Sequence, residues 1–229
     1  MKVTILNGSA RGGKGVTGKL LKALTAGLAK AEASVLTFEI FRRSISPCTS
    51  CLSCMHRTPG RCAIRDDMEP IYEALKTSEL LVMATPLYVD TMSAQLKAVM
   101  DRCLACLQPL FIKDATGRVR HPYTWRMPKG FLLLSTAAFP EPEIFAPLIA
   151  TFRAEAANFS SRAVGEICIP GSIALQMEPE LIGVREPCYP LEHGVLGRAS
   201  AGKTIVAEDA TIMVGLSGMA AVGMAGASG

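Results

Sequence analysis

An apolar run, Lys2–Asn7 (KVTILN), leads straight into a glycine-rich stretch, Asn7-Gly8-Ser9-Ala10-Arg11-Gly12-Gly13-Lys14-Gly15-Val16-Thr17. A helix-periodic segment follows over residues 16–31, with Leu20, Leu21, Leu24 and Leu28 on one face. Few folds accept that order. A short run of continuous apolar residues suits a strand buried on both faces, as in parallel sheets. A glycine loop between such a strand and a helix lies at the carboxyl edge of the sheet, where ligands bind. The alternation then continues. Residues 34–39 read as a second strand, and 79–85 as a third that ends at Pro86, where the chain must leave the sheet. Residues 130–136 and 163–169 read as a fourth and a fifth. Helices are predicted from Asp66 or Asp67, as a cap, through Leu75, then over 93–107 and 143–159. The pattern predicts an α/β fold, a doubly wound five-stranded parallel sheet with helices on both faces. The 229 residues favour one domain, with a core over about 1–170 and an extension, 171–229, whose structure is not legible.

The glycine loop has the chemistry of an anion site. Glycines let the backbone approach a phosphate without a Cβ in the way, and a helix N-terminus supplies free amides and partial positive charge. Ser9 and Thr17 add hydroxyl donors, and Arg11 or Lys14 adds charge. A Walker A loop is excluded, because Gly13-Lys14 is followed by Gly15 where that motif needs Ser or Thr.

A second signal is C-x2-C-x2-C-x7-C, formed by Cys48, Cys51, Cys54 and Cys62. Four thiolates this close can converge on one centre, and Pro59-Gly60 allows the loop to double back. Three cysteines at this spacing resemble an iron–sulfur run. Zinc more often takes two separated pairs, and thiols without a metal are the third reading. Cys103 and Cys106 repeat the C-x-x-C spacing on a predicted helix beside Leu104 and Leu107, where they read as buried small hydrophobes. His56 within the loop reads as solvated. Cys168 and Cys188 receive no function.

Composition narrows the partners. Net charge is +4, and no basic stripe is interleaved with aromatics, so nucleic acid is not expected. The start lacks the long apolar core of a secretory signal, so a cytoplasmic location is expected, with the eight cysteines mostly reduced. Residues 210–229 carry no charge, but five glycines among them and few large aliphatics argue against a membrane span. A tail that is flexible or covered by a partner is the expectation.

Three ordered segments, NGSARGGKGVTGKLL, CTSCLSCMHRTPGRCAIRDDM and ATPLYVDTMSAQLKAVMDR, resemble the NADPH-dependent FMN reductase family of the flavodoxin-like superfamily. The cysteine segment is similar to its iron–sulfur flavoprotein branch. The resemblance covers roughly residues 1–102, and later strands continue it to about 170. It implies a flavodoxin-like sheet and an FMN phosphate held by Ser9, Arg11 and Thr17, with Gly15 and Val16 lending backbone. Pro86, Leu87 and Tyr88 match the loop that contacts the isoalloxazine. Thr136 and Ala137 would border its other side. The strand-ending segment 85–88 is expected to present free amides to the ring, with Tyr88 stacking on it.

The resemblance further implies NAD(P)H as co-substrate, a small electron acceptor (a quinone, flavin or nitro compound), and a homodimer or homotetramer. It implies no catalytic side chain, since the flavin carries the chemistry. An electron carrier using FMN and a [4Fe–4S] cluster on Cys48, Cys51, Cys54 and Cys62 is the alternative, and a non-catalytic FMN-binding module is the second. The polar insertion 109–129, with His121, Tyr123 and Trp125, and the glycine-rich tail are candidate interface or lid elements.

Overall fold

The computed structural model describes residues 1–175, together with the backbone of 202–207 and 210–215. Five parallel strands form the central sheet: β1 (Lys2–Asn7), β2 (Ser34–Glu39), β3 (Leu80–Pro86), β6 (Gly130–Thr136) and β7 (Arg162–Ile169). Their spatial order is β2-β1-β3-β6-β7, with every neighbouring pair parallel. The order of strands reverses between β1 and β3, so the connections leaving their carboxyl ends flank a crevice.

Helix α1 (Val16–Lys30) covers one face, packing Val16, Leu20, Leu21 and Leu24 on Val3, Ile5, Val82 and Leu134. The short helix α2 (Ser53–His56) lies between β2 and β3, and helices α3 (Met68–Thr77), α4 (Ala94–Arg102) and α5 (Ala146–Asn158) cover the other face. There Phe131, Phe145 and Phe152 are fully enclosed, and each such side chain contributes about 1.5–3 kcal/mol by leaving water. β3 and β6 are buried along nearly their whole length, as central strands must be, whereas the edge strand β2 is largely exposed.

Local chemistry sets the boundaries. Ser93 caps α4, its Oγ accepting from the Leu96 amide at 3.4 Å. The predicted helix over 93–107 is not continuous: α4 stops at Arg102 and a 3-10 turn runs over Cys103–Cys106. Likewise α5 is preceded by a 3-10 turn, Pro142–Phe145. Asp67 is the N-cap residue of α3, but it is the Asp66 carboxylate that accepts from the Met68 amide, at 3.1 Å.

The insertion differs from its polar reading. It begins with a small hairpin, β4 (Ile112–Lys113) and β5 (Val119–Arg120), then returns to the body. Tyr123 and Trp125 pack against the larger core, and the Tyr123 hydroxyl donates to Ser160 Oγ at 2.7 Å. Beyond β7, an antiparallel ribbon pairs β8 (Gly202–Ala207) with β9 (Ala210–Gly215). The first residues of the uncharged tail are thus strand, and positions 216–229, with Cys188, lie outside the described residues. Among the described residues no helix is long and apolar enough to cross a membrane.

Candidate functional site

The glycine loop after β1 is tightly wound. The Gly12 amide donates to Ser9 O at 2.9 Å and the Gly15 amide to Gly12 O at 3.3 Å. Gly12 has φ +53°, a left-handed conformation that glycine adopts without penalty. Gly18, in the first turn of α1, lets the helix nest under the loop: a Cβ there would lie 2.3 Å from Gly12 O and 2.5 Å from Gly13 Cα. Helix α1 starts from Gly15 with no side-chain cap and no acidic residue in its first turn. Its first amides therefore lack a capping acceptor, which is the arrangement that receives an anion. A Cβ at Gly15 would sit 3.0 Å from Arg11 Cβ and 3.3 Å from Ser9 Oγ, so glycine keeps this cradle open. Ser9 and Thr17 are buried beside it, while Arg11 and Lys14 stand at the surface. The geometry fits a phosphate.

Residues that the sequence places in three separate segments meet here. Thr17 Oγ1 and Thr136 Oγ1 share a hydrogen bond of 2.9 Å, joining the start of α1 to the end of β6. The Leu87 amide donates to Thr136 O at 2.8 Å, which ties in the segment after β3. Tyr88 and Thr91 exchange backbone hydrogen bonds of 2.9 and 3.2 Å around Val89 and Asp90, whose φ values are +46° and +62°. These are the angles of a type I′ turn. The expectation of free amides at this edge is thereby corrected: those of Leu87 and Tyr88 are already committed to the protein. Tyr88 itself is 46% exposed and Val89 is 96% exposed. Ala137 is buried, its amide bonded to Ile169 O and its carbonyl accepting from Ser172.

The cysteine loop leaves the sheet after β2. Cys48, Cys51, Cys54 and Cys62 line one cavity, together with Ile64, Arg102 and Leu104. Ser50 and Leu52, between the first three cysteines, both have φ +53°. Left-handed backbone at two non-glycine residues costs about 1–3 kcal/mol each, and it turns amides toward sulfur. The Ser50 amide donates to Cys48 Sγ at 3.4 Å. The Ser53 amide, with hydroxyls of Ser53 and Thr49, lowers the Cys51 thiol below its ordinary pKa. Burial, with Cys62 nearby, raises that of Cys54. Amide-to-sulfur bonds and a thiolate donor set are what an iron–sulfur centre uses. Among the described residues no three His, Cys, Asp or Glu side chains gather as a ligand set for a single metal ion, so the thiols share a cavity without closing on a point. His56, within the loop, is exposed.

Three groups that sequence reasoning did not connect hold this loop. Arg102, fully buried at the end of α4, forms an ion pair with Asp66 at 2.8 Å. Its Nη1 also donates to Ser46 O at 2.8 Å, and its Nη2 to Ile64 O at 3.2 Å, one carbonyl on each side of the cysteine run. Burial works against the Asp66 carboxylate, but the Arg102 guanidinium and the Ser46 and Met68 amides outweigh it and hold the pKa below the usual range. The signal available in the sequence was the position of Arg102 on the stripe of Leu96, Val99 and Cys103, all of them buried. A cation on an apolar stripe needs a buried partner.

Trp125 closes the loop from outside, donating from Nε1 to Gly60 O at 3.0 Å and meeting the Tyr72 ring edge-on at 5.8 Å. A Trp125→Phe variant keeps most of the packing and loses the hydrogen bond. It is expected to unfold about 1 kcal/mol more easily, a fall in Tm of roughly 2–4 °C that a thermal melt would register. No change would mean that Gly60 O is satisfied by water.

Cys103 and Cys106 are buried as small apolar side chains, and burial pushes the Cys106 thiol up to about 12. Cys168, on β7, is likewise pushed up to about 12 by burial. All seven cysteines among the described residues are free thiols.

A parallel sheet in this order, with an uncapped glycine loop beside the reversal point, defines a flavodoxin-like protein. The model of the NADPH-dependent FMN reductase family matches residues 1–119, over half the chain, and the chain belongs to that family. An iron-sulfur flavoprotein of Archaeoglobus fulgidus is 48% identical over 68 residues, 30% of this chain and 34% of the relative. One from Methanosarcina thermophila is 33% identical over 118 residues, 51% of this chain and 60% of the relative. The matched part of the chain therefore spans a third to three fifths of these relatives. Among solved structures, an NAD(P)H:quinone oxidoreductase from Methanothermobacter marburgensis superimposes with a TM-score of 0.55 at 17% identity, over 78% of this chain and 86% of the other. At that identity the likeness is one of fold.

Proposed function

We propose that this protein is an FMN-dependent oxidoreductase that takes electrons from NAD(P)H and passes them to a small acceptor such as a quinone, a flavin or a nitro compound. The observation that carries the reading is the junction of Thr17, Thr136 and Leu87 beside the open cradle at Gly15. Ser9, Arg11 and Thr17, with the Gly15 and Val16 backbone, would hold the flavin phosphate. Pro86, Leu87, Tyr88, Thr136 and Ala137 would border the ring, Tyr88 through its exposed side chain. FMN, when bound, supplies the two-electron chemistry. The protein's part is to anchor the phosphate, orient the ring edge and keep water from it. The relatives' names and the family support the reading, as does the fit of the cradle. A homodimer or homotetramer in the cytoplasm is the proposed setting, and light scattering tests the assembly.

A second reading is favoured by the cysteine cavity: the protein is an iron–sulfur flavoprotein in which Cys48, Cys51, Cys54 and Cys62 hold a [4Fe–4S] cluster. A single zinc needs its thiolates about 2.3 Å from one point, whereas a cube of iron and sulfide accepts a wider set. Anaerobic purification followed by absorbance, iron and acid-labile sulfide analysis decides. Flavin bands with about four iron and four sulfide per chain support both cofactors, and flavin without iron leaves an FMN reductase alone. No flavin after adding FMN overturns the first reading. Cys54→Ser, in the cavity wall, is expected to lower bound iron at least fourfold while flavin content stays within a fifth of wild type. Equal iron in this variant would remove Cys54 from the ligand set.

A further inference from the structure

We propose that Arg102 is the positioning residue of the cysteine centre, mooring both flanks of the loop and presenting its remaining N–H to the four-thiolate cavity. The inference rests on the reading of that cavity as a cluster site. Both terminal nitrogens of the guanidinium are used: Nη1 by Asp66 Oδ2 and Ser46 O at 2.8 Å each, Nη2 by Asp66 Oδ1 and Ile64 O at 3.2 Å each. Nε is buried and has no hydrogen-bond partner. Arg102 is part of the cavity wall that the four cysteines line.

A buried donor without an acceptor carries a free-energy penalty unless something fills that place. Because Asp66 binds at the terminal nitrogens, the carboxylate lies at the far end of the guanidinium from Nε. The positive end of the pair is thus the end left for the cavity. Thiolates and sulfides are acceptors that gain negative charge when a cluster is reduced, and an N–H directed at them favours the reduced form. The same side chain holds Ser46 and Ile64 on either side of Cys48 and Cys62, so loop geometry and electrostatics share one residue. The backbone of Arg102 is fixed in turn by the Tyr72 hydroxyl, which donates to its carbonyl at 2.9 Å.

The test compares wild type, Arg102→Lys and the double variant Asp66→Asn/Arg102→Met, each reconstituted anaerobically with FMN, iron and sulfide. The double variant removes both charges, so neither is left buried alone. The readout is the cluster midpoint potential from an EPR-monitored titration, with iron and flavin content alongside. The double variant is expected to shift the ratio of reduced to oxidised cluster about tenfold toward oxidised at the wild-type midpoint (59 mV for one electron), with Arg102→Lys in between. Retained flavin shows that the fold has survived, and Arg102→Lys decides the matter if the double variant fails that control. In the iron-free proteins, trypsin is expected to cut at Arg57 and Arg61 faster in both variants. A variant that holds four iron with an unshifted potential overturns the proposal while leaving the cluster intact. Wild type that takes up no iron overturns the cluster reading and this proposal with it, and is recognised by iron analysis before any variant is made.

Discussion

Gly18→Ala is expected to weaken FMN binding ten- to a hundredfold and to destabilise the fold by about 1–3 kcal/mol. The added methyl would have to occupy a place 2.3 Å from Gly12 O and 2.8 Å from Gly13 C, and both neighbours are backbone, not flexible side chain. Either α1 or the loop must move, and overpacking of a close contact costs energy in that range. Because the loop and the first turn of α1 form the two halves of the proposed phosphate cradle, any movement would separate the hydroxyls of Ser9 and Thr17 from the amides proposed to act with them. Gly13→Ala is the control: a Cβ there meets nothing within 4 Å, so its affinity is expected to stay within twofold of wild type. Quenching of FMN fluorescence during titration of the flavin-free proteins gives both constants. Equal affinities for the two variants would show that the flavin phosphate lies elsewhere.

Glu155→Gln is expected to stabilise the protein by roughly 2 kcal/mol at pH 8 and to change little near pH 4.5. Glu155 sits on α5 with Oε2 buried and unpartnered. Burial raises its pKa from an ordinary 4.5 to about 7, Lys97 opposing this and Asp101 adding to it. Lys97 is already paired with Asp101, which explains why it does not neutralise Glu155 as well. The sign follows from proton binding. Between pH 4.5 and 7 the folded state holds a proton that the unfolded chain has released, so stability falls as pH rises through that window. Below it both states are protonated and the contribution is whole. Above it the folded state carries an unpaired buried charge at a cost of roughly 2–3 kcal/mol. Urea unfolding across pH 5–8 should show wild type losing stability where the glutamine variant does not. Parallel curves would mean that Glu155 ionises in water or against Lys97.

The central strands β1, β3 and β6 were legible because both their faces are buried. β1, β2 and β6 have the predicted limits, β3 is shifted by one residue at both ends, and β7 begins one residue earlier. The glycine loop was legible because one chemical task, close backbone approach, leaves a dense compositional trace. What escaped were features made by distant contacts. The end of α4 depends on Arg102 reaching Asp66, thirty-six positions earlier, and no local periodicity encodes that. The left-handed residues Ser50 and Leu52 are not of the types that ordinarily announce such a backbone. Trp125 read as part of a polar insertion because its partners, Gly60 and Tyr72, belong to other segments. In the candidate flavin site, Thr17 and Thr136 were named separately, and only the fold shows that they touch.

The bare start of α1 also bears on how the protein must be handled. A helix end with no capping side chain and no acidic residue in its first turn leaves its amides to an incoming anion, and more than one anion can claim them. Inorganic phosphate or sulfate in a buffer would contend with the cofactor for the same amides. Flavin loading should therefore go further in chloride than in phosphate, and a preparation judged flavin-poor could owe that state to its solvent rather than to its sequence.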